Sequence, residues 1–141
     1  MHMEYVFDTE NARHYRFPTH VNDLVIDRAD AATSEVFMVV LEPGESAPLH
    51  LHDDTEQIFY VLEGTVVLTV GTEGRTCQAG PGKVVRIPPS TWHRIEAVGG
   101  PMRYLAVDCF LGGRPTAEPT WDDHVKVVCD REGWDFDSVR Q

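Results

Sequence analysis

His50 and His52 stand one residue apart in "PLHLHDDTEQIFYVLEG", which runs from Pro48 to Gly64. On an extended backbone, side chains two residues apart share a face, so both imidazoles point the same way. Paired imidazoles are poor packing material. They are good metal ligands, each reaching an ion at about 2.0–2.1 Å. His93, in "IPPSTWH", can add a third nitrogen and Gln57 a neutral oxygen, provided the fold brings these distant positions together. One divalent transition ion suits such a set, and Zn, Ni, Mn, Fe and Co all accept imidazole and oxygen donors.

The elements that must position these residues read as strands. Short runs rich in Val, Ile, Phe and Tyr alternate with Gly, Pro and Asp. They are "DLVIDR" (23–28), "EVFMVVLE" (35–42), "PLHLH" (48–52), "QIFYVLE" (57–63), "TVVLTV" (65–70), "RTCQ" (75–78), "KVVRI" (83–87), "WHRIEA" (92–97) and "MRYLAVDCF" (102–110). The runs at 57–63 and 65–70, joined at Gly64, predict a tight hairpin. About nine strands spaced some ten residues apart indicate an all-β sandwich or barrel. Residues 1–22 read as an N-terminal strand or arm, 23–110 as the barrel, and 111–141 as a linker ("LGGRPTAEPT") followed by a short C-terminal extension. In that extension "HVKVVCD" alternates like a strand, "REGWDFDSVRQ" suggests a turn or short helix, and "WDD" (121–123) looks like a helix N-cap cluster. The extension is expected to pack on the barrel or on a neighbouring subunit.

The motifs resemble those of the cupin family, in its small single-domain, conserved-barrel form. The family's first motif, G-x5-H-x-H-x(3,4)-E-x6-G, is met by Gly44, "ESAPL", His50, Leu51 and His52. The second, G-x5-P-x-G-x2-H-x3-N, is met by Gly82, "KVVRI", Pro88, Pro89, "TW" and His93. Ser90 replaces the usual glycine and Ala97 the usual asparagine. Two motifs in order, separated by residues 65–81, are specific where a lone HxH would not be. The resemblance implies a jelly-roll (double-stranded β-helix) barrel with a metal centre inside it and, commonly, a homodimer paired through sheet edges, for which the "EYVF" segment (4–7) is available. It departs at the acidic ligand. Counting back from Gly64 lands on Gln57, whereas three spacers after His52 land on Glu56. A one-residue slip exchanges the two faces of the strand. Gln57 is favoured, because the family permits the longer loop and this substitution, and Glu56 stays open as the alternative.

A glutamine leaves the charge of the ion uncompensated. That favours Lewis-acid work on a carbonyl, hydroxyl or enolate oxygen, of the isomerase or lyase kind, over redox chemistry. The expected substrate is a small polar molecule such as a sugar acid or other carbonyl compound. Tyr60 and Tyr104 read first as packing residues. A phenol near a metal can also donate a proton, and Tyr60, with Glu56, is the candidate for that role. Iron-dependent dioxygenation and non-catalytic binding of a sugar or small acid are the competing readings. His20, in "FPTHVND", could line the barrel mouth, while His2, His14 and His124 read as surface residues. Arg86 and Arg103 are expected to face solvent, Asp53–Asp54 to form a solvated turn, and Trp92 to pack at the barrel end.

The 141 residues suffice for one domain with a real core, and the net charge of −11, with no basic run, disfavours nucleic acid and anionic lipid as partners. No apolar run is long enough to span a membrane, and the first ten residues lack a secretion signal. Met3 reads as the natural start, with His2 belonging to added sequence. Three cysteines without a pairing pattern suggest reduced thiols in a cytoplasmic protein.

Overall fold

The computed structural model describes residues 4–141; His2 and the reading of Met3 as the start lie outside the described residues. Among the described residues nine strands form two antiparallel sheets, the jelly-roll arrangement expected. The larger sheet contains β1 (Arg13–Arg16), β2 (Val21–Ile26), β3 (Ser34–Leu41), β4 (Thr55–Glu63), β7 (Val84–Ile87) and β9 (Met102–Phe110), in the order β1-β2-β3-β9-β4-β7. The smaller contains β5 (Val66–Val70), β6 (Arg75–Ala79) and β8 (His93–Ala97), in the order β6-β5-β8.

The period-two pattern assigns the faces. On β9, Met102, Tyr104, Ala106, Asp108 and Phe110 are buried inward while Arg103, Leu105, Val107 and Cys109 face out. On β4, Thr55, Gln57, Phe59 and Val61 point inward. The inward aromatic and aliphatic side chains form one continuous core between the sheets.

Three local expectations are corrected. Strands β4 and β5 are not a hairpin, because β4 pairs with β7 and β9 while β5 pairs with β6 and β8. Gly64 instead carries the chain from one sheet to the other. Its φ of 77° is a glycine conformation, and a Cβ there would strike the Pro101 carbonyl and lie 2.7 Å from Met102 Cβ. Residues 48–52 do not form a full strand, and His50 alone makes a β-bridge, to His93. The "EYVF" segment has no regular structure, and the N-terminal strand is Arg13–Arg16. The free edge of β1 is covered by the chain's own end, through the Tyr15–Arg140 bridge and the Gln141 N–H to the His14 carbonyl. It is closed to edge pairing.

"HVKVVCD" lies in a helix, α1 (Trp121–Glu132), followed by the short α2 (Phe136–Val139). Thr120 and Asp123 form a reciprocal capping box, and Gly133 ends the helix in the left-handed conformation. Trp121, Val125 and Cys129, four residues apart, make the buried stripe. That spacing prevails over the short-range alternation. The linker is anchored by Arg114, which donates to the carbonyls of Arg28 and Ala31 at 2.8 and 2.7 Å.

Candidate metal centre

His50 and His93 exchange backbone hydrogen bonds, 3.1 and 2.9 Å, that fasten the 48–52 segment to β8 and join the two motifs. The Ser90 N–H adds a 2.7 Å bond to the His52 carbonyl. Ser90, standing where glycine is usual, has φ 58°, and its hydroxyl donates to Asp53 at 3.0 Å. The turn thus keeps the glycine-like backbone with a serine held at both ends.

The structure brings the three imidazoles together. Ring centroids lie 4.4 Å (His50–His93), 4.9 Å (His50–His52) and 6.0 Å (His52–His93) apart, and one nitrogen of each lies within 4.8 Å of the others. Nδ1 of His50 lies 2.6 Å from the Pro48 carbonyl and Nδ1 of His93 2.9 Å from that of Thr91. A carbonyl only accepts, so Nδ1 carries the proton and each Nε2 presents a lone pair. Burial pushes His50 and His52 down to about 4 and about 3, and lowers His93 as well. All three rings are therefore neutral, the state a metal ligand requires.

Gln57 is buried on the inner face of β4. Its Nε2 donates to Asp108 Oδ1 at 2.8 Å, while its Oε1 has no hydrogen-bond partner. Nε2 of His93 is likewise buried and unpartnered. Orphaned acceptors inside a protein are costly unless something fills them. An orphaned imidazole nitrogen in a cluster of three neutral histidines, with an orphaned carboxamide oxygen on a residue lining the same cavity, fits a divalent transition ion.

A polar row stands behind Gln57. Strand register aligns Gln57 with Asp108 and Asp108 with Glu35 across β4, β9 and β3. Glu35, fully buried, receives Arg28 Nε and Nη2 at 2.7 and 2.9 Å. Burial, then the hydrogen bond with Glu35, raises Asp108 well above the usual carboxylate range. Asp108 accepts from Gln57, which fixes the Nε2 end of the carboxamide on Asp108 and leaves Oε1 as its unpartnered end.

Glu56 and Tyr60 are not brought to the site. Both lie on the outer face of β4; Glu56 pairs with Arg86 at 2.9 Å, and Tyr60 is exposed. Strand parity is the physical reason, since whatever turns Gln57 inward turns its neighbour and Tyr60 outward. The tyrosine that lines the cavity with the histidines is Tyr104. Arg86 is solvent-exposed and Asp53–Asp54 hold no histidine ring. Trp92 is half exposed rather than packed.

The centre opens into a cavity of about 230 Å³. Helix α1 forms part of its wall through Trp121, His124, Val125 and Val128. His20, stacked on Phe17 at 4.5 Å, lines it too and is pushed down to about 4 by burial. His124 lines it as well, with Nδ1 2.8 Å from Glu118, and is no surface residue. His14 stays outside, paired with Asp23.

A family model described as a cupin domain matches residues 37–108, half of the chain. The chain belongs to the cupin family. Both histidine motifs fall inside the match, whereas α1, His20 and Asn22 lie beyond it. Over 67 residues this cupin is 34% identical to an uncharacterised protein of Methanocaldococcus jannaschii, and the match covers 47% of the chain and about half, 52%, of that relative's length. It resembles the structure of a predicted oxalate decarboxylase from Thermotoga maritima (22% identity, TM-score 0.67, covering 76% of this chain and all of that one). It resembles KdgF from Halomonas sp. at 19% identity and TM-score 0.65, over 74% and 94% of the two chains. The polyketide cyclase RemF from Streptomyces resistomycificus is similar at 28% identity and TM-score 0.66, over 81% and 83%. The first two likenesses show the fold alone.

Asp108, Glu35, Asn22 and His124 escaped the reading of the motifs, whereas His20 lines the cavity in keeping with the expectation for "FPTHVND". For the two acids a signal exists: each sits on the apolar parity of its strand, in Glu35-Phe37-Val39-Leu41 and in Met102-Tyr104-Ala106-Asp108. A carboxylate on a core-facing stripe needs a partner.

Proposed function

We propose that this cupin is an enzyme that holds one divalent transition ion (Zn, Ni, Mn, Fe or Co) with His50, His52, His93 and Gln57 and acts on a small carbonyl compound in an isomerase- or lyase-like reaction. The observation that carries this reading is the cluster of His50, His52 and His93 together with two buried, unpartnered acceptors, His93 Nε2 and Gln57 Oε1, on residues that line one cavity. With four neutral donors the bound ion supplies undiminished Lewis acidity to a substrate oxygen. The chain's own groups do the rest. Tyr104, whose phenol burial holds in its protonated form, can donate a hydrogen bond from Oη to an oxygen in the cavity it lines. His124, oriented through Nδ1 by Glu118, offers its other nitrogen for proton transfer. Trp121, Val125 and Val128 on α1 keep water from the reacting face. A polyketide cyclase among the structural relatives supports carbonyl chemistry as the class.

Metal analysis tests this. Protein purified without chelators, then loaded and desalted, should retain about one equivalent of ion per chain, and His93→Ala should retain little. Wild-type protein that retains no ion overturns the proposal, and rapid oxygen uptake by the iron-loaded form would favour dioxygenation instead.

The same reading includes a homodimer, through a sheet face rather than an edge. Register lines up Val84, Tyr60, Leu105 and Met38 across the outer surface of the larger sheet, beside a second row of Ile58, Val107 and Val36. Val84 and Tyr60 are 62% and 43% exposed, whereas Met38 at the other end of the row is buried within the chain, so the apolar surface left open lies at the Val84–Tyr60 end. A twofold axis through it would bury both copies. The three cysteines are free thiols, in keeping with a cytoplasmic protein, and among the described residues no helix is long and apolar enough to cross a membrane.

A further inference from the structure

The cavity carries a second set of unmet polar groups. Asn22 and Trp121, 7% and 2% exposed, both line it, and Asn22 Oδ1 and Trp121 Nε1 are buried without hydrogen-bond partners. Asn22 is on β2, three strands across the sheet from Gln57 on β4. One unmet group is an acceptor and the other a donor, and a hydroxyl answers both. The lining of the cavity is rich in aromatic side chains, Phe17, Phe37, Phe59, Tyr104, Trp121 and Trp134 among them. A dry cavity of about 150 Å³ accommodates benzene, so about 230 Å³ suits a substituted ring. The far end is uncharged in its demands. Arg131, the arginine that lines the cavity, is 55% exposed and paired with Glu132, and Arg28 is committed to Glu35.

We infer that the ligand of this cavity is a flat, hydroxylated aromatic carbonyl compound, its ring among the aromatic side chains and a neutral hydroxyl at its far end paired with Asn22 and Trp121. A sugar acid fits less well, because its several hydroxyls would be desolvated against aromatic walls with few partners. The carbonyl end of this ligand rests on the metal-dependent function proposed above; the far end does not.

Calorimetric titration tests it with three probes: ortho-hydroxyacetophenone, the same compound with a second hydroxyl para to the carbonyl, and galacturonate. On metal-loaded wild type the para hydroxyl should tighten binding about tenfold, the upper range for one hydrogen bond. That gain should vanish in Asn22→Leu and shrink in Trp121→Phe, which removes only the N–H, so a poorly folded first variant leaves the second to decide. Galacturonate should bind more weakly than either ring. Equal binding of the two acetophenones to wild type, or tighter binding of galacturonate, overturns the inference. The same titrations on chelator-stripped protein separate it from the metal reading. A para-hydroxyl gain that persists without any ion uptake leaves this inference standing and removes the metal, while ion uptake without the gain does the reverse.

Discussion

Replacing Asp108 separates a residue that positions a metal ligand from one that merely fills the core. Asp108 Oδ1 takes the Gln57 Nε2–H at 2.8 Å, and this bond leaves Oε1 as the unpartnered end of a residue that lines the same cavity as the histidines. In Asp108→Leu the carboxamide loses that restraint, and its two ends become nearly equivalent within the strand. The N–H group then needs another acceptor, and flipping would point a donor at the centre. Losing one buried hydrogen bond costs about 0.5–1.5 kcal/mol. Partners that orient metal ligands are typically worth about 10- to 100-fold in affinity, which is about 1.4–2.7 kcal/mol. Metal affinity in Asp108→Leu should fall within that range. Glu35 keeps both of its bonds to Arg28, so the fold should survive. Asp108→Asn behaves differently. Its Oδ1 can still accept from Gln57 and its Nδ2 can donate to Glu35, copying the proton-bearing carboxyl that burial and Glu35 impose on Asp108. Affinity should stay within about threefold of wild type, as expected when the bond is kept. The assay is competition for cobalt or zinc against a chromogenic chelator, with thermal melts to confirm folding. Equal losses in both variants, or none in Asp108→Leu, would refute the positioning argument.

Two further outcomes follow from the same geometry. Metal-free protein should lose stability as pH falls: His20, His50 and His52 are held by burial at about 4, 4 and 3 against an ordinary 6.5, so below 6.5 the unfolded chain binds protons the folded chain does not. Their contribution is intact above about pH 6.5 and is lost progressively toward pH 4; Asp108, raised in the fold, pulls the other way but is one group against three. Urea midpoints that are level between pH 7.5 and pH 4.5 would contradict this. Val84→Glu places a charge at the exposed end of the Val84–Tyr60–Leu105 row and should convert the dimer to monomer in sedimentation, without lowering metal content; a monomeric wild type sinks the face-to-face dimer.

The strands and the histidine cluster were legible in the sequence because both rest on short periods. Alternation along "EVFMVVLE" and "MRYLAVDCF" assigns faces, and the spacing within each motif fixes which imidazoles share one. What escaped depends on contacts between distant segments. Whether β4 and β5 pair is decided at Gly64 by its closeness to Pro101 and Met102, which no local window contains. Edge pairing through β1 fails because the last residues of the chain already occupy that edge. "HVKVVCD" satisfies two periods at once, and only the barrel mouth, which accepts Trp121, Val125 and Cys129 together, selects the helix.

The choice between Gln57 and Glu56 shows how the two kinds of information combine. Motif spacing alone allows either residue, since the loop after His52 can lose or gain one position. Three aligned strands resolve their orientation: Asp108 and Glu35 form an inner-face row in which Gln57 is the next member, and the outward position opposite Arg86 is left to Glu56. A charged glutamate at the inner position would stand beside Asp108 and Glu35, adding a third carboxyl to a pair that already shares one arginine. A neutral carboxamide avoids that repulsion and leaves its oxygen free. The departure from an acidic ligand and the buried Asp108–Glu35 pair are therefore one feature of this barrel. Gln57→Glu, which replaces the Nε2–H that Asp108 Oδ1 accepts with a further carboxyl, should lower the urea midpoint, and by less alongside Asp108→Asn, whose Nδ2 can donate to the new group.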